Sequence, residues 1–339
     1  MPDKNVTVRE VARAANVSIG TVSRALKGQS GLSEQTRAEV LRIAQEMGYD
    51  LGKLRTGKPR RLLFLYSRQL SSLATNVFYS IVLHGVETAC RDAGVSLSLL
   101  SVGAGDDLPA LVRRHEAEGL IGTGHFDADT VEAMRACDIP LVLVDHFHAA
   151  VHCVNDDNLH GALLATRHLL QGGARRPAMI VGPLSHNSVA LRAKGFRRAL
   201  FEAGLLADPE FEVMLDMTLP YDEAGRLAMR QLLALPNPPD AVFAYNDETA
   251  LHAMAACEEA GLRVPEDIRF VGYDNIAAAS RGRPALTTIH VDKEALGREA
   301  VLCLLEGRVD AGNTLLPVEL VVRETSRPPV PQKVPTTTT

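Results

Sequence analysis

Residues 6–26 read VTVREVARAANVSIGTVSRAL and have the pattern of two short helices separated by a tight turn. Apolar residues recur at the spacing of one helical face: Val8, Val11, Ala12 and Ala15. Thr7 and Glu10 have the spacing of a capping box, which would begin the first helix. We expect this helix to end near Asn16, because asparagine tolerates turn geometry.

Two further helices should follow the first one. Ser18 can begin the second helix as its N-cap, and Ser33 can begin a third helix that ends before Gly48. Their inward-facing apolar residues should be Val22, Ala25, Leu26, Val40, Leu41, Ala44 and Met47. Residues 1–50 therefore predict a helix-turn-helix domain, in which the second helix enters the major groove of DNA.

The distribution of charge favours a nucleic-acid partner for this domain. The chain has a net charge of −5, but residues 1–61 contain 12 Lys and Arg against 6 Asp and Glu, a local charge of +6 that leaves −11 for the rest. The exposed side of the second helix offers partners for phosphates and base edges: Thr21, Ser23, Arg24 and Lys27. A small helical bundle used for protein contacts is the alternative, and the basic charge disfavours it.

The head resembles the DNA-binding domain of the lactose/galactose repressor (LacI/GalR) family. The matching motif is V-A-x-x-A-x-V-S-x-x-T-V-S-R-x-L, followed by S-x-x-T-R and ending in G-Y. This resemblance implies that the base-reading positions are Ile19, Gly20 and Arg24. Arg24 would bind a guanine through O6 and N7, and Ile19 would contact a thymine methyl group. The positions implied to contact phosphate are Thr21, Ser23, Lys27 and Thr36.

Residues 51–61 depart from the family pattern. Relatives follow the tyrosine with Pro-Asn and an Ala-Arg-x-Leu segment, which forms a hinge helix on DNA and inserts a leucine into the minor groove. Here the chain reads YDLGKLRTGKPRR, with Leu51-Gly52 in place of Pro-Asn. The candidate hinge residues are Leu51, Leu54 and Arg55, although Gly52 disfavours a helix. A flexible basic tether that contacts phosphate is the alternative, and the sequence leaves both open.

From residue 62 onward, short apolar runs alternate with helical segments. The runs include LLFLY (62–66), PLVLV (140–144), PAMIV (177–181), AVFAY (241–245) and IRFVG (268–272). Such alternation predicts parallel β-sheets covered by helices, and the length of 62–326 fits two doubly wound subdomains. The expected fold is an all-α helix-turn-helix head joined to an α/β body of two such subdomains.

Polar side chains follow several of these predicted strands: His125, Asp145, Asn246, Asp247 and Asp274. Arg192 lies near the start of a helix that follows another strand. Ligands of doubly wound sheets bind outside the carboxyl ends of the strands. Carboxylates, an amide and a guanidinium meeting there suit hydrogen bonding to sugar hydroxyls. Each residue taken alone has a structural alternative; Asp247, for example, suits the N-cap of a helix.

The body resembles the same family over the blocks GPLSHNSVALRAKGF, VFAYNDETALHAM, GLRVPEDIRFVGYDN, PALTTIHVDKEALG and LLPVELVVRETS. The resemblance implies two periplasmic-binding-protein-like subdomains joined by three crossing segments. The first would comprise about 62–156 and 287–318, and the second about 157–286 and 319–326. It also implies that Arg192, Asn246 and Asp274 hold polar groups of a small effector, with support from Asp145.

Three aromatic residues are further candidates for the effector site. Relatives carry an N-P-F-F motif after the first strand, and the matching residues here are Asn76-Val77-Phe78-Tyr79. Phe78 or Tyr79 could stack on a sugar face, and packing against the first strand is the alternative. Tyr221 lies in a loop where relatives often place another aromatic residue.

Composition and motifs disfavour other classes of protein. The five cysteines show no CxxC spacing, and residues 1–10 lack the apolar core of a signal peptide, so we expect a cytoplasmic protein. No complete cofactor-binding loop occurs, so no cofactor is expected. The histidines at 146, 148 and 152 have no matching Cys or Glu motif, and no metal is expected. Residues 327–339 are rich in Pro and Thr and predict a disordered tail.

The sequence thus predicts a ligand-responsive repressor that is not an enzyme. A homodimer would bind a pseudo-palindromic double-stranded operator, and a small sugar-like effector between the subdomains would control it. No membrane partner is expected. Arg192 alone would also suit a carboxylate or a phosphate. A transport binding protein and a doubly wound enzyme are the alternatives; the head disfavours the first, and the lack of a nucleophile–base pair disfavours the second.

Overall fold

The structure, a computed structural model, describes residues 6–26, 32–49, 58–68 and 76–327. The chain divides into two compact units between Lys58 and Pro59. The first is all-α and the second is α/β, which confirms the predicted fold class. The candidate sites at Lys27, Leu51, Leu54 and Arg55 lie outside the described residues, as does the expected tail after Arg327. No helix of the described ranges is long and apolar enough to span a membrane.

The head contains three helices, α1 (Val8–Ala14), α2 (Ile19–Leu26) and α3 (Glu34–Glu46). Thr7 and Glu10 form the predicted capping box at the start of α1. At the turn after α1, Asn16 adopts a positive φ of 50°, which asparagine tolerates better than most residues. The helices bury a small core made of Val11, Ala12, Val22, Ala25, Val40 and Ala44. The period-3.6 apolar pattern therefore determines this unit by itself.

The first subdomain of the body is built on a six-stranded parallel sheet. Its strands are β1 (Arg61–Ser67), β2 (Ser96–Val102), β3 (Gly119–Thr123), β4 (Leu141–Val144), β5 (His152–Asp156) and β11 (Gly312–Leu316), in the order β11-β5-β4-β3-β1-β2. Its helices are α4 (Val77–Ala93), α5 (Leu108–Arg114), α6 (Ala128–Arg135) and α12 (Lys293–Glu306). The central strands β3 and β4 are buried along their whole length, as parallel strands covered on both faces should be.

The second subdomain repeats this architecture. Its strands are β6 (Pro177–Val181), β7 (Glu212–Met214), β8 (Ala241–Ala244), β9 (Arg269–Asp274), β10 (Thr287–Val291) and β12 (Val318–Val321), in the order β12-β10-β9-β8-β6-β7. Its helices are α7 (Asn158–Gln171), α8 (Asn187–Glu202), α9 (Tyr221–Leu233), α10 (Asp247–Glu259) and α11 (Ala277–Arg281). All pairs in this sheet are parallel except β10 with β12.

The chain passes between the two sheets three times, and one passage differs from the expected position. Residues 287–291 were expected in the first subdomain, but they form β10 of the second sheet. The run TTIHV is nearly all buried and pairs with β9 on one side and β12 on the other, so its backbone polar groups are satisfied only there. The chain therefore returns to the first subdomain only after Val291, and Asp292 then caps α12. The other two lie between Asp156 and Asn158 and at Pro317.

Candidate functional site

The helix α2 presents one face to the core of the head and another to solvent. Val22 and Ala25 are buried, while Ile19, Gly20 and Arg24 are exposed. Ile19 is 51% exposed, which is unusual for a large apolar side chain and fits a contact with a thymine methyl group. The three candidate base-reading residues therefore share the outer side of one helix.

Short polar contacts fix side chains on α2 and at the starts of α2 and α3. The Nε of Arg24 donates to the carbonyl of Gly20 at 3.3 Å, so the arginine lies back along the helix over a position without a side chain. The Ser18 hydroxyl accepts from the Thr21 amide at 3.0 Å and lies 2.8 Å from the Thr21 hydroxyl. Thr36 bonds in the same way to Ser33 at the start of α3. Ser23 is half-buried on α2.

In the body, a cleft is defined by the carboxyl ends of the two sheets, and Arg192 lies on its second-subdomain side. The guanidinium is buried and donates from Nε to Asn158 Oδ1 at 2.7 Å and from Nη1 to the Tyr245 carbonyl at 2.6 Å. Its Nη2 lies 3.5 Å from Asp274 Oδ1, and its plane lies 3.6 Å from the centre of the Tyr273 ring. Burial opposes the charge, but the nearby carboxylates, Asp274 first, hold the pKa of Arg192 above its ordinary value.

Asp274 ends β9 and is buried beside Arg192. Its φ of 101° is far from ordinary strand values, and such backbone strain gathers at functional sites. Burial raises the pKa of Asp274 to about 8, even though the Arg192 charge acts in the opposite direction. The ammonium group of Lys293 donates to the Asp274 carbonyl and, at 3.1 Å, to the Val291 carbonyl. Burial lowers the pKa of Lys293.

Asp145 follows β4 on the first-subdomain side and is also buried, with a positive φ of 53°. Its Oδ2 accepts from the Tyr79 hydroxyl at 2.7 Å and lies 3.6 Å from His186 Nε2. Its Oδ1 has no hydrogen-bond partner among the described residues. A buried carboxylate oxygen without a donor is costly unless something supplies one. Among the described residues, Asp156 Oδ1 is in the same situation, so the cleft contains two buried carboxylate oxygens without a donor.

Asn246 and Tyr221 are brought together at the start of α10. Asn246 is its N-cap, and its Oδ1 accepts from the Thr249 amide at 2.9 Å. The Tyr221 hydroxyl lies within hydrogen-bond distance of Asn246, of the Thr249 hydroxyl and of the Tyr245 hydroxyl. Burial raises the pKa of Tyr221 well above its usual range. Asn246 therefore caps α10, in addition to the ligand contact that the sequence analysis expects of it.

The two aromatic residues of α4 have different environments. Tyr79 is only 6% exposed and directs its hydroxyl to Asp145. Burial and the Asp145 charge raise the pKa of this hydroxyl. Phe78 is partly buried, lies edge-on to Tyr79 and has Lys293 Nζ 6.0 Å from the centre of its ring. Of the two, Phe78 is thus the one less enclosed by the protein.

His125 lies near two other imidazoles. Its ring centre is 5.6 Å from that of His186 and 6.1 Å from that of His146. Burial lowers the pKa of His125 and takes that of His146 to about 4, and the His186 imidazole acts on both in the same direction. Both rings are therefore neutral at pH 7. His148 and His152 bond elsewhere, to Glu132 and to Asp310 and Thr314. No group of three or more His, Cys, Asp or Glu within the described ranges is placed to hold a metal ion.

Sequence reasoning missed several residues that complete the cleft. They are Asp156, Asn158, His186, Tyr245, Tyr273 and Lys293. His186 follows the carboxyl end of β6, so the strand-end rule that found Asp145 could have found it as well. Lys293 begins a helix after a crossing segment, and only the tertiary structure brings its ammonium group to Asp274.

Comparison with known proteins gives two family matches. Residues 7–50 match the model described as "Bacterial regulatory proteins, lacI family", and residues 166–326 match the "Periplasmic binding protein-like domain". The chain is similar to the HTH-type transcriptional repressor CytR of Escherichia coli (strain K12), with 33% identity over 95% of this chain and 96% of that protein. It is also similar to the ribose operon repressor of the same strain, with 35% identity over 88% of this chain and 92% of that protein.

Solved structures give the same result. The lac repressor dimer bound to operator and the anti-inducer ONPF superposes with a TM-score of 0.69 at 30% identity, covering 96% of this chain and all of that chain. A transcriptional regulator CelR–cellobiose complex superposes with a TM-score of 0.72 at 29% identity, covering 95% of this chain and all of that chain. Both likenesses extend over the head and the body.

Proposed function

This chain belongs to the lacI family of bacterial regulatory proteins, and we propose that it represses transcription from a pseudo-palindromic operator under the control of an uncharged, sugar-like effector. The family and the role of repressor rest on the two relatives named above. Both are repressors, and this chain matches them over 96% and 92% of their length. They are neither transport proteins nor enzymes, which favours a regulator without catalytic activity. Because operator DNA lies in the cytoplasm, we also place this protein there.

The observation that carries the effector proposal is the vacant acceptor on Asp145. A buried carboxylate oxygen without a donor among the described residues suits a hydroxyl or amine hydrogen of a ligand. Asp274 and Asn246 stand at the carboxyl ends of the neighbouring sheet, where ligands of this architecture bind. Hydroxyl groups of a sugar are both donors and acceptors, and therefore suit such a set. One similar structure is a complex with cellobiose, in agreement with this class of ligand.

The state of Arg192 argues against a charged effector. The sequence left a carboxylate or a phosphate open as its partner. Three groups of the protein already occupy the guanidinium, and its face is covered by the Tyr273 ring. An anion would instead face the carboxylate of Asp145, and buried like charges repel strongly. We therefore assign Arg192 to positioning Asp274 and Asn158 beside a neutral ligand.

The DNA end of the proposal rests on α2. Ile19 and Arg24 stand on the outer side of a helix whose opposite side is fixed in the core. Two heads of a homodimer would place two such helices in successive major grooves, and one similar structure is a dimer bound to operator. The effector would favour one arrangement of the two subdomains and so change operator affinity.

Selection from random DNA tests the DNA half of the proposal. The full-length protein is incubated with a random library, and enriched sequences are read. We expect an inverted repeat with a guanine in each half-site, and binding that persists against competitor DNA as salt is raised. Enrichment without a repeat, or binding lost uniformly with salt, would mean non-specific contact with phosphate only.

A ligand panel tests the effector half. Thermal unfolding is measured with D-ribose, cellobiose and D-galactose, and with ribose 5-phosphate as the charged counterpart of ribose. We expect a neutral member to raise Tm and to change operator affinity, while ribose 5-phosphate does not. A larger rise in Tm with ribose 5-phosphate would overturn the assignment of a neutral ligand.

A further inference from the structure

His186 lies where two parts of the body meet across the cleft. It is the residue before α8, in the loop after β6, and belongs to the second subdomain. Its side chain is only 14% exposed. The N-cap position of a helix favours side chains that bond to the first amides of the helix. His186 makes no such bond, so the helix start does not explain its orientation.

Both ring nitrogens of His186 have partners, and these fix the ring. Nδ1 lies 2.8 Å from the Ser188 hydroxyl in its own subdomain. Nε2 lies 3.3 Å from the Tyr79 hydroxyl and 3.6 Å from Asp145 Oδ2, which both belong to the first subdomain. Tyr79 gives its only hydrogen to Asp145, so its oxygen accepts from Nε2–H.

Within the described residues, two other side-chain bonds between the subdomains lie beside crossing segments. The Tyr273 hydroxyl donates to Asp156 Oδ2 at 2.7 Å, beside the first crossing. Lys293 donates to the Asp274 carbonyl beside the second crossing. His186, Tyr79 and Asp145 belong to no crossing segment. Their contact therefore restrains the separation of the two subdomains at the cleft, away from the crossing segments.

We propose that His186 is an internal competitor of the effector: its imidazole bonds across the cleft to the Tyr79 hydroxyl, and a ligand that enters between the subdomains must break this bond. This inference rests on the proposed function, which assigns Asp145 to the effector. The ring lies 3.6 Å from Asp145 Oδ2, the oxygen that Tyr79 already holds, so a ligand that reaches Oδ1 enters beside the ring. The residue thus sets effector affinity and restricts binding to ligands that replace its bond.

The neighbouring imidazoles provide a measurement that needs no effector. His186 is faced by Tyr79 from α4, by His125 after β3, and by Asp145 and His146 after β4. Burial lowers the pKa values of His125 and His146, and the charge of His186 lowers both further. Loss of His186 removes that charge and admits water, and both effects raise the two pKa values.

The test compares three variants of the full-length protein without ligand. His186→Ala removes the ring, His186→Gln keeps a donor near the position of Nε2, and His84→Ala removes an exposed histidine of α4 as a control. We expect His186→Ala alone to raise the pKa values of His125 and His146 in an NMR titration. We also expect amide hydrogen exchange at residues 145–148 to become at least threefold faster in that variant. Unchanged pKa values and exchange in a folded His186→Ala protein would show that the imidazole does not hold the cleft.

A second measurement tests the competition. D-ribose is titrated into wild type and His186→Ala by calorimetry. We expect at least threefold tighter binding by His186→Ala and near wild-type binding by His186→Gln. An equal Kd in wild type and His186→Ala, or weaker binding by that variant, overturns the competition. The proposed function fails separately, through the selection of an operator, which does not involve His186.

Discussion

At the scale of single residues, the cleft is defined by how its charges are satisfied. All three guanidinium nitrogens of Arg192 have partners in the protein, whereas Asp145 keeps one buried oxygen without a donor among the described residues. Sequence reasoning treats both residues alike, as polar groups near strand ends. The structure separates them into a group that the protein has satisfied and a group with one oxygen still unpaired among the described residues.

The first prediction concerns Arg192. Replacement by alanine leaves Asn158, Asp274 and the Tyr245 carbonyl without their donor, so we expect a loss of about 3 to 5 kcal/mol in the free energy of unfolding. Effector response should vanish as well. Urea unfolding measures the loss, and Arg198→Ala is the control on the same helix. Its exposed pair with Glu202 predicts a change below about 1 kcal/mol. Similar losses in both variants would contradict the role given to Arg192.

The second prediction is a decrease of stability as pH rises. Burial raises the pKa of Asp247 to about 7 and that of Asp274 to about 8, from an ordinary value of 3.8. A carboxyl group with a raised folded-state pKa binds its proton more tightly when folded. Its stabilisation is therefore complete below pH 4 and is lost as pH rises through 7 to 8. Urea unfolding between pH 6 and 8.5 should show this fall.

Asp247→Asn provides the matched test of that slope. Asp247 Oδ2 accepts from the Ile276 amide, and Oδ1 lies at the Thr288 hydroxyl. An amide can accept from the first and donate to the second, as the protonated carboxyl does. We expect this variant to match wild type near pH 6 and to lose about 1 to 2 kcal/mol less by pH 8.5. A slope equal to that of wild type would mean that Asp247 is ionised throughout.

At the scale of elements, helix α2 and the pair α4 and α12 show two uses of glycine. Gly20 on α2 leaves open space at a candidate base-reading position, since a Cβ there would meet only the Ser18 hydroxyl at 3.7 Å. Gly85 and Gly297 instead let α4 and α12 approach closely, since a Cβ on either would lie 2.1 Å from a carbonyl of the other helix. The same residue type leaves an exposed position open in one unit and allows close packing in the other.

The third prediction concerns the recognition helix. Arg24→Ala should weaken binding to the selected operator by about 10- to 100-fold, because one bidentate base contact contributes about 1 to 3 kcal/mol. Gel shifts measure the change. Arg42→Ala is a control on α3, where the arginine is paired with Glu39 and Glu46. Equal weakening on operator and on random DNA would reassign Arg24 to phosphate contact.

The fourth prediction concerns the contact of α4 with α12. Gly85→Ala places a methyl group against the Glu294 carbonyl and should destabilise the body by at least about 1 to 3 kcal/mol, the typical effect of overpacking. Gly103→Ala is the control, since its Cβ would meet only Arg68 at ordinary distance. Thermal unfolding of both variants measures the difference. A Gly85→Ala protein as stable as the control would show that the helices can separate at little cost.

At the scale of the whole molecule, the body is two similar sheets connected by three short crossing segments. Each crossing has a physical role of its own: Asp156 accepts from Tyr273, Asp292 caps α12, and Pro317 separates β11 from β12. The cleft residues come from both sheets, so a ligand that contacts both must favour one arrangement of them. The basic head and the acidic body divide the work between DNA and ligand.

The fifth prediction follows from this coupling. The factor by which the effector changes the Kd for operator must equal the factor by which operator changes the Kd for the effector. Fluorescence titrations of each ligand, with and without saturating amounts of the other, measure both factors. Two unequal factors would mean that a further equilibrium, such as dimer dissociation, takes part.

How much the sequence predicts differs between the elements. The head follows from local patterns, because capping boxes and apolar spacing act within a few residues, as Thr7 with Glu10 shows. The assignment of residues 287–291 was wrong, because a short buried strand has the same pattern in either sheet. Only its hydrogen-bonded neighbours, β9 and β12, decide which sheet it joins.

The local pattern of residues 6–26 is sufficient to identify a helix-turn-helix head and its family. Strand-end positions also identify Asp145, Asn246 and Asp274 in sequence, because parallel strands bring their carboxyl ends to one edge. Tertiary structure alone decides how two of these groups are satisfied, because their partners are distant in the chain: Tyr79 lies 66 residues from Asp145, and Arg192 lies 82 residues from Asp274. A vacant oxygen and a competing imidazole are properties of that arrangement, and no local pattern encodes them.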